Sequence, residues 1–149
     1  MLSRWRAVAL LALTASVIVA EEVLLSRVLS VTTWYSLAFV VINLAMLGLT
    51  AGSLQAARAE RDGAPLEPWL ARRMLAMGGT LLVADIVTVV TPLPFQADPH
   101  SFAALLLIVA VNTAPFIAGG SVIARLMSRG GISIPTLYEI GRASCRERV

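Results

Sequence analysis

The placement of charge limits what this chain can fold into more than any other feature. Residues 7–26, 34–54, 74–91 and 102–126 form four runs nearly free of Asp, Glu and Arg, separated by connections where most of the charge collects. An α-helix rises 1.5 Å per residue, so about 20 consecutive apolar residues cross a hydrocarbon layer of roughly 30 Å. The runs have that length. Within them the apolar residues fill whole stretches and do not keep to one stripe, as a helix exposed to lipid on all sides requires. Composition agrees: 58% of residues are hydrophobic and 14% charged, whereas soluble domains carry about one quarter charged. The expected fold is all-α, a polytopic transmembrane helix bundle of about four spans, and incomplete.

The arginines give this threading an orientation. Arg4 and Arg6 precede the first run, Arg58, Arg61, Arg72 and Arg73 fill the connection at residues 55–73, and Arg125 and Arg129 follow the fourth run. Only Arg27 falls on the other side. The positive-inside rule then places the N-terminus, the 55–73 connection and the end of the fourth span in the cytoplasm. Every basic residue is Arg and none is Lys, which fits a GC-rich coding sequence. The net charge of +3 does not form a basic stripe interleaved with aromatics, so no nucleic-acid partner is expected. Cleavage of the first run as a signal peptide after Ala20 is the rival reading, and Ile18 three residues before the cut is large for that rule.

Individual runs carry further detail. Trp34 and Tyr35 read as an interfacial anchor opening the second span. Ala45, Gly48 and Gly52 share one face of that span, and small residues at this spacing let a neighbouring helix approach closely. Pro65 and Pro68 argue against a long helix in the 55–73 connection. The third run is closed by Pro92 and Pro94. Pro115 should kink the fourth, with Asn112 and Thr113 available to satisfy freed backbone groups.

The polar residues at depth are the candidate sites. Asp85 is the sharpest, because an ionisable group inside a span is costly and turns toward a partner or a wet cavity. Its functional reading is a proton or cation site. Its structural reading is a buried hydrogen bond to Asn43 or Asn112, favoured because no second acidic residue in the spans supports a relay. Glu21, Glu22 and Arg27 form an interfacial charge cluster read as tying a turn, with Glu22 near the far interface. His100 beside Asp98 lacks the further ligands that a metal needs. No phosphate loop, HExxH or nucleophile elbow occurs, so no catalytic, cofactor-binding or metal residue is assigned.

The last stretch, Ile140-Gly141-Arg142-Ala143-Ser144-Cys145-Arg146-Glu147-Arg148-Val149, breaks abruptly in composition. It back-translates to ATC GGA AGA GCG TCG TGT AGG GAA AGA GTG, which resembles read-through of a short-read sequencing adapter with Glu139 as the junction. Residues 139–149 are therefore read as a non-native tail, with a solvated basic tail as the alternative, and Cys145 is given no role. Residues 1–138 are then the transmembrane region of a longer chain.

The run Glu22-Val23-Leu24-Leu25-Ser26-Arg27, then Trp34-Tyr35-Ser36-Leu37-Ala38-Phe39 and Leu47-Gly48-Leu49-Thr50-Ala51-Gly52, resembles the opening of bacterial membrane-embedded spermidine synthase-like proteins. In that family the first helix ends in a Glu-x-x-x-x-Arg segment and the second in Leu-Gly-x-x-Ala-Gly. Ala114-Pro115-Phe116 with Ala118-Gly119, and residues 134–138, are similar to its later Pro-Phe-Phe-x-x-Gly and Leu-Tyr-x-x-Asp-Leu-x-Gly segments. The resemblance implies further spans and a cytoplasmic Rossmann-like domain using S-adenosylmethionine or its decarboxylated form. The partners of this region would be the lipid bilayer and those downstream parts of the same chain. None of that domain's residues lies in this sequence. A fragment of a secondary transporter, with Asp85, Asn112 and the Pro115 kink lining its site, is the alternative. A small structural membrane protein is a third.

Overall fold

The computed structural model describes residues 4–32, 38–91 and 99–129 of the 149. These residues form four helices and no strand: α1 (Arg4–Thr32), α2 (Ala38–Arg61), α3 (Leu66–Val90) and α4 (Pro99–Arg129). All four are long and apolar enough to cross a membrane. The fold is an all-α bundle of the polytopic membrane type.

The helices overrun the apolar runs. α1 continues past residue 26 to Thr32, and α2 past residue 54 to Arg61. α3 begins at Leu66, not at residue 74, so the 55–73 connection shrinks to a turn at residues 62–65. The prolines do not forbid this. Pro65 is the N-cap, with φ −64° and ψ 135°, and Pro68 falls in the first turn, where the missing N–H has no helical acceptor to lose. Glu67 in the same turn faces the positive end of the helix dipole. At the other side of the turn, Gly63 takes φ +68° while its N–H donates to Glu60 O and the Ala64 N–H donates to Ala59 O. That pair of bonds is a Schellman motif, which terminates α2 by satisfying its last carbonyls.

α4 is the central element and packs against all three others, most extensively against α2. α2 and α4 run parallel, with Gly48 against Phe116 and Gly52 against Ile117, Gly120 and Ser121. A Cβ on Gly52 would collide with the Ile117 carbonyl oxygen and would lie 2.6 Å from the Ser121 nitrogen. Both are backbone atoms that cannot rotate away. On another face of α4, Gly119 is flanked by Ile18 of α1 and Met77 of α3, so α1 and α3 meet through side chains across it.

Three buried clusters stack along the bundle: Ala7, Leu70, Val122 and Leu126 at the end carrying the α2–α3 turn; Ile18, Ala45, Met77, Phe116 and Ala118 in the middle; and Leu25, Leu29 and Val41 beyond. The outward surface is apolar. Leu75, Leu82 and Val89 of α3 and Met46 and Leu47 of α2 are all exposed, a surface suited to acyl chains and not to water. Trp34, Tyr35, Pro92, Pro94 and residues 130–149, the adapter-like tail among them, lie outside the described residues.

Candidate functional site

α1 turns a regular stripe inward: Ala7, Thr14, Ile18, Glu21, Leu25 and Leu29 are its buried residues. The spacing of seven, four and three is that of a packed helix seam. Glu21 therefore occupies a core position and is 8% exposed, with Oε1 buried and unpartnered among the described residues. Glu21, assigned from sequence to an interfacial charge cluster, is thus a buried residue of the α1 seam. Glu22 is only half-buried and Arg27 is exposed, and the two make no ion pair with each other.

Asn112 of α4 is fully buried. Its Nδ2 donates to Thr88 Oγ1 at 2.9 Å and to its own helix at Ile108 O, 2.8 Å, leaving Oδ1 buried and unpartnered. Thr88 lies one turn from Asp85 on α3. Asn112 lies two turns from Gly119 on the same face of α4, the face that α1 and α3 share. The Asn112–Thr88 bond thus joins α4 to α3 within the apolar interior.

Asn43 does not join it. It is exposed on α2 and donates to Phe39 O at 3.0 Å on its own helix. Nor do Asn112 and Thr113 cap a break at Pro115. α4 runs through Pro115, and both side chains bond carbonyls four residues back, Ile108 and Val109. Ala45, Gly48 and Gly52 are buried in the α2–α4 seam. His100 is exposed, and no group of three His, Cys, Asp or Glu side chains able to hold a metal comes together among the described residues.

One polar residue escaped the sequence reading. Arg125, counted there only as a topology marker, is fully buried. Its Nη1 donates to Ala56 O at 3.1 Å and its Nη2 to Ala64 O at 2.6 Å, tying α4 to α2 and to the turn. Its guanidinium also lies 5.3 Å from the centre of the Trp69 ring, as does that of Arg73, an attraction between cation and ring face. A sequence signal existed. Gly48, Gly52 and Ala56 step along α2 by four, and Arg125 is four residues beyond Ser121, so extending the seam one turn pairs Ala56 with Arg125. Nearby, Arg129 Nε bonds Glu60 Oε1 at 2.7 Å on the exposed rim.

No protein-family model, curated protein or solved structure matches the chain.

Proposed function

We propose that this chain is the membrane-embedded N-terminal portion of a spermidine synthase-like transferase. Its helices hold a cytoplasmic Rossmann-like domain at the inner face of the bacterial cytoplasmic membrane. The observation that carries this reading is the α2–α4 seam. The Leu-Gly-x-x-Ala-Gly segment at residues 47–52 and the Pro-Phe segment at 115–116 carry the resemblance, and they are the two surfaces in closest approach. Segments that make one interface are expected to recur together in a family, since a larger residue on either side separates the helices. The described helices are anchor, not catalyst. In this reading the N-terminus and the α2–α3 turn face the cytoplasm, where eight of the arginines gather.

Sequencing the source locus through the codon of Tyr138 tests the proposal. A frame that continues into further spans and then a strand, a Gly-rich turn and a helix supports it. Aminopropyl or methyl transfer by the complete product would then define the activity. A frame that encodes residues 141–149 and stops overturns it and leaves a small four-span protein. The buried, unpartnered oxygens of Glu21 and Asn112 favour the second reading, a secondary-transporter fragment, for which the continued frame would instead encode spans related to these four.

A further inference from the structure

The positive-inside rule accounts for the arginines at the α2–α3 end of the bundle and leaves Arg27 unexplained. Arg27 lies 20 residues beyond Ala7 on α1, or about 30 Å at 1.5 Å per residue, the thickness of the hydrocarbon core. Its guanidinium is therefore within reach of the headgroup layer opposite the α2–α3 turn. The side chain is exposed and makes no ion pair among the described residues. Glu22 is five residues away, too far round the helix to share its side. α2 packs on α1 at this level through Leu25, Leu29 and Val41, and has no ionisable residue between Ala38 and Arg58.

Arg27 also lines a groove. Ser16, Ala20, Val23 and Arg27 follow one another by four, three and four residues along one side of α1. With Val19 and Leu24 beside them they line a groove of about 820 Å³, within the size range of clefts that hold one small molecule. All six residues are exposed, and Arg27 is the one ionisable residue of the lining among the described residues. The small side chains of Ser16 and Ala20 form the floor. Eleven residues separate Ser16 from Arg27, about 16–17 Å along the helix. That is about half the hydrocarbon core, the depth of one leaflet.

A guanidinium at the edge of hydrocarbon needs a counter-anion, and a phosphate accepts two of its N–H donors side by side. A second copy of the chain packed parallel along this face would bring a second Arg27 to the same level, like charge against like. A phospholipid brings a phosphate to the guanidinium and a hydrocarbon chain to the groove.

We propose that this face of α1 binds one anionic phospholipid, its phosphate paired with Arg27 and one acyl chain laid along the groove to Ser16. The lining offers no carboxylate to a choline or ethanolamine ammonium among the described residues, so the site selects headgroups that are anionic overall, as in phosphatidylglycerol. It stands whether the chain is a transferase anchor or a transporter fragment.

The test is photocrosslinking of the full chain in phosphatidylcholine nanodiscs doped with phosphatidylglycerol that carries a diazirine midway along one acyl chain. Peptide mass spectrometry locates the adducts. They are expected to concentrate between Ser16 and Leu24, above the level on Phe102, Leu106 and Leu107, an exposed apolar surface of α4 at the same end of the bundle. The same probe with a phosphatidylcholine headgroup is expected to show no such preference. Arg27→Gln should lower the α1 yield about fivefold, the scale of one arginine at an anionic surface, and leave the α4 yield unchanged. Ala20→Leu keeps the arginine, fills the groove and should also lower the α1 yield. Both positions are exposed, and circular dichroism with size-exclusion profiles verifies that each variant is folded. Equal adducts on α1 and α4 would mean annular lipid only and overturn the proposal. So would an α1 yield that survives Arg27→Gln or Ala20→Leu, or crosslinks that show a second copy of the chain covering this face.

Discussion

Gly52 and Gly119 show how one residue type does two different jobs on two different faces of α4, one against α2 and the other against α1 and α3. A methyl on Gly52 meets backbone of α4, whereas one on Gly119 meets the Cδ1 of Ile18, the movable tip of a side chain. Gly52→Ala is therefore expected to destabilise the bundle by about 1–3 kcal/mol through overpacking. Gly119→Ala should cost clearly less, with Ile18 adjusting its rotamer. SDS-driven unfolding in mixed micelles measures both, and equal losses would contradict the difference drawn between them. Arg125 depends on geometry as much as on charge, because two nitrogens of one planar group reach two carbonyls. Arg125→Lys keeps the charge and loses the fork, and an expected loss of about 1.5–3 kcal/mol follows from the charged hydrogen bond removed. The same unfolding assay reads it, and a neutral result would mean that the fork contributes nothing to stability. Neither Gly52 nor Arg125 declares its role through chemistry visible in the sequence. Gly52 could be read from its spacing with Gly48. Arg125 could be read only from the register that carries Gly48 and Gly52 on to Ala56, and its second bond, to the Ala64 carbonyl, needed the turn to be placed beside it.

At the scale of elements, the sequence reading erred where local propensity and tertiary context compete. By local propensity Pro65 and Pro68 argue against a long helix, yet both sit where a helix has no N–H bond to forfeit. The turn between α2 and α3 depends on Gly63 at φ +68°, with no neighbour within 4 Å of a Cβ there. Gly63→Ala should cost about 1–2 kcal/mol from the left-handed backbone alone. Gly78→Ala, also in open space but inside α3, should be neutral or stabilising by up to about 1 kcal/mol through helix propensity. Opposite signs in parallel thermal melts are the expected result. α1 repeats the lesson in another form. Its buried stripe of Ala7, Thr14, Ile18, Glu21 and Leu25 was present in the spacing, but the surrounding residues are apolar on every side. A pattern of hydrophobicity cannot mark an inward face when the outward face is hydrophobic too.

For the whole molecule, orientation is the property to test. Asp62 in the α2–α3 turn and His100 at the start of α4 lie at opposite ends of the bundle and are both exposed. With Cys145→Ser as background, Asp62→Cys is expected to react with an impermeant maleimide only from the cytoplasmic side of sealed vesicles. His100→Cys is expected to react only from the opposite side, and the reverse pattern would invert the topology. What the sequence determined by itself is the number of helices, their all-α class and which ends share the arginines. These follow from one-dimensional quantities, namely run length, charge placement and the need to satisfy every backbone group in hydrocarbon. Only the tertiary structure decided that α4 is the hub, that Arg125 is a buried clasp, and that Glu21 turns inward while Asn43 faces away. The physical reason is that lipid and protein interior are equally apolar, so burial leaves no mark on composition. Which face turns inward is settled instead by close packing of small residues and by the few polar groups that must find one another across helices.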